Sequence, residues 1–154
     1  MPFQSTQFSR SAVALVDAPI ERVFPLLCPK KEEDWIPGWQ CETLWSRSGC
    51  NEDGAIFRTS KPYGTELYWH TLQFNIDRRI VDFLITAPRL FHFRFTITVE
   101  MKKTAQAAIH FHQTFTSVSE EGREFLERYQ SEDFAARVQT LGALMTQYLN
   151  ARKP

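Results

Sequence analysis

The segment from Phe91 to Met101 constrains the fold more than any other part of the chain. Its residues alternate without a break. Phe91, Phe93, Phe95, Ile97, Val99 and Met101 fall on one side, and His92, Arg94, Thr96, Thr98 and Glu100 on the other. A sustained period of two is a β-strand with one covered face and one wet face. The next stretch repeats the pattern, with Ala107, Ile109, Phe111, Gln113 and Phe115 inward and Ala108, His110, His112, Thr114 and Thr116 outward. Two such strands around a charged tip at Lys102 and Lys103 form antiparallel neighbours, and something apolar has to cover their aromatic face.

The cover lies near the C-terminus. Phe134, Val138, Leu141, Met145 and Tyr148 recur at steps of four, three, four and three, which is one helical stripe. Ser119-Glu120-Glu121-Gly122 opens the helical region, Ser131 reads as the N-cap of its main part, and the helix runs to about Asn150. No other predicted element is long enough to cover a sheet.

Upstream, Phe8 to Val16 reads as a strand with Ala12, Ala14 and Val16 on one face and Val13 and Leu15 on the other. Pro19 then opens a short helix that Pro25, lacking an N–H, kinks or ends. Lys30 to Trp39 predicts a second short helix followed by a Pro37-Gly38 turn, with Trp35 and Trp39 plugging one end of the sheet. Four more strands follow, over Trp39–Arg47, Ala55–Thr59, Thr65–Ile76 and Arg79–Ala87. A two-residue turn at Asp77-Arg78 would set Phe74 opposite Val81, Leu72 opposite Phe83 and His70 opposite Ile85, making one hairpin face largely apolar. The chain is read as a single domain over residues 1–154.

Composition excludes several classes of function. Lys plus Arg equals Asp plus Glu at 18 each, so the cationic surplus that nucleic-acid binding requires is missing, and no nucleic-acid partner is expected. No apolar run approaches the ~18 residues of a membrane span, so no integral membrane segment is expected and the cytoplasm is the default location. The three cysteines, Cys28, Cys41 and Cys50, form no CxxC and leave an odd count, which reads as reduced thiols. Thirteen Phe against three Met make the interior aromatic rather than aliphatic.

The order of strand, two short helices, six strands and long amphipathic helix resembles the helix-grip (SRPBCC) superfamily. That superfamily includes the START lipid-transfer domains, the Bet v 1 allergens and the polyketide cyclase/dehydrase proteins. The residues that sharpen the resemblance to its bacterial branch are Val23-Phe24-Pro25-Leu26-Leu27-Cys28-Pro29, Asp34-Trp35-Ile36-Pro37-Gly38-Trp39, Gly54-Ala55-Ile56-Phe57-Arg58-Thr59, Trp69 and Ser119-Glu120-Glu121-Gly122. The resemblance implies an α+β fold in which a seven-stranded curved antiparallel sheet grips the last helix around a deep cavity. Such cavities hold lipids, polyketides, hormones or aromatic metabolites.

Residues expected to line that cavity are Trp39, His70, Phe83, Phe93, Phe95, Phe111, Gln113, Phe115 and Phe134, with Trp69 placed by strict alternation on the face opposite His70. Each ring alone is more often plain core; together, rigid flat side chains pack with gaps. Gln113 is the polar exception on its strand and either bonds within the core or orients a ligand. His70 is weighed as an acid–base group against a merely hydrogen-bonded histidine. His110-x-His112 shares a face, but no carboxylate or thiol completes a metal site, so no metal is expected. No Ser-His-Asp or Cys-His set and no phosphate loop is present, so catalytic residues stay unassigned and no cofactor is expected. The leading expectation is binding or carriage of a small hydrophobic ligand. A cyclase or dehydratase using His70 or Gln113 with Glu66 or Asp82 is the alternative, and an interaction module centred on Trp35–Trp39 the second alternative. The oligomeric state is left open.

Overall fold

A computed structural model describes residues 2–130 and 132–152. Its elements are β1 (Gln7–Val16), α1 (Ile20–Val23), two single 3-10 turns (Phe24–Leu26 and Lys31–Asp34), β2 (Glu42–Trp45), β3 (Ile56–Thr59), β4 (Leu67–Asn75), β5 (Ile80–Ala87), β6 (Phe91–Lys103), β7 (Gln106–Ser117), α2 (Glu120–Gln130) and α3 (Phe134–Asn150). The strands form one antiparallel seven-stranded sheet in the order β1-β7-β6-β5-β4-β3-β2. This is the expected α+β arrangement, with Pro25 inside the first 3-10 turn, where its missing N–H costs nothing.

The alternation seen in the sequence fixes the sheet's inner wall. Phe95 pairs with Phe83 on one side and Gln113 on the other, and Phe93 pairs with Ile85 and Phe115. Across the β1–β7 ladder, Ala12 faces Phe111, Phe8 faces Phe115 and Arg10 faces Gln113. The inner face thus continues from β5 to β1 as layers of ring on ring, including the stacked Phe93–Phe115 and Phe8–Phe115 pairs.

Three local expectations need correction. The β4–β5 hairpin holds Phe74 opposite Val81 as read, but the register slips between Thr71 and Gln73, so Thr71 faces Phe83 and His70 faces Leu84. Leu72 is the extra residue of a β-bulge, which reverses the faces of everything before it in the strand. His70 is therefore on the exposed outer face, while Trp69 and Leu67 are buried within. The hairpin loop spans residues 76–79 rather than two residues; Asn75 Oδ1 accepts from the Arg78 N–H, and Arg79 takes a positive φ of 58°. The expected strand from Trp39 shrinks to Glu42–Trp45, because side chains satisfy the backbone before it. Glu33 Oε2 accepts from the Cys41 N–H at 2.9 Å, and Lys30 Nζ donates to the Cys41 carbonyl at 3.0 Å.

The C-terminal helical region is two helices. Ser131 lies outside the described residues; the cap of α3 is Asp133, whose Oδ1 accepts from the Ala136 N–H at 3.0 Å. α3 makes its close backbone approach to β1. Gly142 permits it, since a Cβ there would lie 2.9 Å from the Leu15 carbonyl oxygen and 3.1 Å from the Ala14 Cβ. At the middle of the sheet the helix stands away, and a gap opens between the two layers. No helix of the described residues is long and apolar enough to cross a membrane.

Candidate functional site

The gap is a cavity of about 380 Å3. Its walls come from β4 to β7 (Trp69, Phe83, Phe93, Phe95, Phe111 and Gln113), from α3 (Phe134, Val138 and Leu141), and from Trp35, Trp39 and Tyr63 in the connecting segments. The volume falls at the small end of sites that take drug-sized molecules, and the lining is mostly apolar with few polar groups. A wider depression of about 550 Å3 beside β2 and β3 is open to solvent, and the charges on its wall are engaged with one another: Arg58 with Glu42, and Arg58 with Glu66 at 3.7 Å. The deeper, partly enclosed aromatic cavity is the candidate site.

One end of it is organised by a buried arginine. Arg10 projects inward from β1 with its side chain only 11% accessible, and its guanidinium lies 4.2 Å from the Phe134 ring centre and 5.0 Å from that of Phe115. Its nitrogens all have partners: Nε donates to Gln113 Oε1 at 2.8 Å, Nη2 to the Tyr63 hydroxyl at 2.9 Å, and Nη1 to Glu132 Oε2 at 2.8 Å and the Tyr129 carbonyl at 3.3 Å. Glu132 also accepts from Arg137, whose side chain reaches the cavity wall. A charge taken out of water is tolerated only with such a complete set of partners.

Glu32 has a different environment. It lines the cavity beside Trp35 and Leu27, and burial alone pushes its carboxyl up to about 8, so the group carries a proton at neutral pH. Trp35 Nε1 is buried without an acceptor among the described residues, whereas Trp39 Nε1 donates to the Pro29 carbonyl at 2.8 Å. Both rings turn inward, so the Trp35–Trp39 segment presents no exposed aromatic patch.

Of the residues expected along the cavity, Trp39, Phe83, Phe93, Phe95, Phe111, Gln113 and Phe134 line it. Phe115 does not; it is fully buried between Phe8 and Phe93 in filled core. His70 is excluded by the bulge at Leu72. Nor do the acid–base partners considered with it converge. Glu66 is exposed and accepts from the Tyr68 hydroxyl, and Asp82 sits on the outer face under Arg94 and Thr96. His110 pairs with Glu100 at 3.0 Å and His112 with Ser11 at 2.6 Å, each engaged separately on the wet face. Cys28 and Cys41 are buried, and burial raises both thiols, Cys41 to about 12, the reverse of an activated nucleophile.

Arg10, Glu32, Tyr63 and Arg137 were not legible as site residues, for different reasons. Arg10 has the parity of Ala12, Ala14 and Val16 on β1, so extending that alternation by one step would have found it. Glu32 and Tyr63 sit in irregular segments, where no periodicity reports direction.

No protein-family model matches the chain, and no curated protein matches it in sequence. Solved structures do match. Norcoclaurine synthase from Thalictrum flavum, solved with dopamine and hydroxybenzaldehyde, is 12% identical with a TM-score of 0.71, over 97% of this chain and 90% of that one. The Zhui aromatase/cyclase from a Streptomyces species is 15% identical with a TM-score of 0.67, over 97% of each chain. XoxI from Bacillus cereus is 18% identical with a TM-score of 0.60, over 95% of this chain and 99% of that one. Identities this low establish architecture and nothing finer. The chain shares the helix-grip fold of these structures.

Proposed function

We propose that this protein binds a small, uncharged, ring-containing molecule in the cavity between the sheet and α3. The observation that carries the reading is the lining itself: a partly enclosed space of about 380 Å3 walled by ring faces and edges, with a short set of placed polar groups. Aromatic walls favour flat ligands through offset and edge-to-face contacts. The norcoclaurine synthase structure of the same fold holds two small ring compounds, dopamine and hydroxybenzaldehyde, which agrees with the ring-containing part of this reading.

Binding is tested by thermal denaturation against a library of aromatic and lipid-like compounds. A ligand at one hundred times its Kd stabilises the folded state by about 2.7 kcal/mol. For a chain of this length that corresponds to a rise in Tm of roughly 5–10 °C. Absence of any shift across the library refutes the reading.

Glu32 favours a second, catalytic reading. Near pH 8 part of the Glu32 carboxyl is ionised, and that carboxylate can take a proton from the carbon beside a bound ketone's carbonyl, exchange it with D2O and return a deuteron, so the wild-type protein would catalyse deuterium exchange into 1-tetralone near that pH and Glu32→Gln would not. Equal exchange rates for the two proteins remove this second reading and leave the first intact.

A further inference from the structure

The Arg10 cluster assigns a direction to two hydrogen-bonding groups on the cavity wall. A guanidinium only donates, so the Gln113 amide must turn its oxygen toward Arg10 Nε, and its NH2 is left facing away. The Tyr63 hydroxyl accepts from Arg10 Nη2, so its own proton also points elsewhere. Gln113 and Tyr63 are only 2% and 5% exposed, both line the cavity, and neither donor has a protein acceptor among the described residues. Nε and Nη2 form the edge of a guanidinium that grips the two oxygens of one carboxylate. Here that edge grips one oxygen from each of two side chains, and so sets the Gln113 amide and the Tyr63 hydroxyl next to each other on the cavity wall.

We propose that the Gln113 amide and the Tyr63 hydroxyl form a paired donor site for one carbonyl oxygen of a neutral ring compound, of the ketone, quinone or lactone class. The proposal rests on the cavity being a ligand site, and it adds which end of the ligand goes in and what that end must carry. A hydrocarbon leaves both donors unsatisfied, and a ligand that offers only N–H or O–H groups meets donors instead of acceptors. A carboxylate is the rival ligand: Arg10 is paired with Glu132 at 2.8 Å, but Arg137 shares that same carboxylate and reaches the cavity wall with Lys61, so an anion would seek those cations rather than the two neutral donors, and the test includes one.

The test compares three bicyclic probes, 1-tetralone, tetralin and 1-naphthoate, by titration of the full-length protein. Trp35, Trp39 and Trp69 on the cavity wall make tryptophan fluorescence the readout. The ketone is expected to bind about tenfold more tightly than tetralin, the effect of two hydrogen bonds. Tyr63→Phe keeps the ring, removes the hydroxyl along with the partner of Arg10 Nη2, and should lower the ratio of ketone to tetralin affinity to about threefold, the ratio being read within the variant so that any general loss of binding cancels. Because Gln113→Leu strips a partner from buried Arg10 and can fail to fold, an infrared measurement on wild-type protein accompanies it. The carbonyl stretch of bound, carbonyl-13C-labelled 1-tetralone should lie at lower wavenumber than in hexane, and Tyr63→Phe should return it part of the way. Equal binding of ketone and tetralin, or an unshifted stretch, overturns the paired-donor site while leaving the cavity a ligand site. Tighter binding of 1-naphthoate than of the ketone overturns the carbonyl assignment. If no probe binds, the paired-donor site falls together with the reading beneath it.

Discussion

Glu32 couples the cavity to the stability of the whole chain, and the coupling has a definite sign. Its carboxyl ionises at about 8 in the folded protein against 4.5 in an unfolded chain. Below pH 4.5 both states hold the proton and the group has no effect. Between pH 4.5 and about 8 the unfolded chain has released a proton that the folded chain keeps, so stability falls as pH rises, by about 1.4 kcal/mol per pH unit. Across that interval the loss reaches about 5 kcal/mol. This is an upper bound, because water drawn into the cavity on ionisation lowers the cost. Glu32→Gln removes the ionisation while keeping size and polarity. The variant should therefore match the parent near pH 4.5 and exceed it progressively toward pH 8, measured by urea denaturation at half-unit steps of pH. Other perturbed groups leave the window clear. Glu33, Glu52, Glu100 and Glu120 are held below the usual carboxylate range by their hydrogen bonds, chiefly to Lys30, Ser48, His110 and Arg123 respectively, and Cys28 and Cys41 are pushed above the usual thiol range by burial. Parallel stability curves for the two proteins between pH 5 and pH 8 would refute the reasoning, since they would mean that Glu32 is ionised in the folded chain.

Two comparisons test the packing. A Cβ at Gly122 would lie 1.7 Å from the Leu90 carbonyl oxygen, so Gly122→Ala must displace backbone and should cost at least about 3 kcal/mol. At Gly142 the corresponding distance is 2.9 Å, and the gain in helix propensity of about 1 kcal/mol offsets part of the clash; Gly142→Ala should therefore cost less than Gly122→Ala in the same urea assay, and the opposite order would contradict the docking of α2. Phe115→Ala empties filled core and should cost about 3–5 kcal/mol, whereas Phe83→Ala, whose ring already borders open space, should cost about half as much and admit larger aromatic ligands. Equal losses at the two positions would mean that the cavity is filled by protein.

The fold was legible wherever one periodicity ran unbroken. Phe91–Val99 and Ala107–Phe115 gave their inner faces correctly because both strands lie inside the sheet, where a one-residue slip would put every aromatic in water, whereas Met101, read as inward, is exposed beside the irregularity at the end of the ladder. The stripe from Phe134 to Tyr148 located the covering helix for the same reason. Legibility failed where an extra residue or a side-chain bond replaced the repeat. Leu72 looks like an ordinary apolar member of an alternating strand, and only the three-dimensional pairing shows it to be the bulge that sends His70 outward and Trp69 inward. The start of β2 was lost to Glu33 and Lys30, which bond the Cys41 backbone from eight and eleven residues away. Gln113 was visible as an inward polar residue, but its partner was not, because the ladder that sets Arg10 opposite it joins residues 103 positions apart.

These features together explain why a chain so rich in rings keeps an open interior. α3 is drawn close to β1 at Gly142, while Arg10 fixes its first turn through the Phe134 ring and, by way of Glu132, Arg137. Held at these two places against the edge strand, the helix cannot settle onto the middle of the sheet. The rings that face it from β5, β6 and β7 already pack against one another, Phe83 with Phe95, Phe95 with Phe111, and Phe93 with Phe115, and rigid rings so engaged do not swing out to fill the remaining space. The same arginine that holds the helix off also turns the Gln113 and Tyr63 donors away from itself. Replacing it with an apolar side chain would therefore have two consequences at once: the helix would be freed to close the gap, and the two donors would lose the charge that orients them. The width of the gap and the direction of the two donors on its wall both trace to one charge drawn out of water.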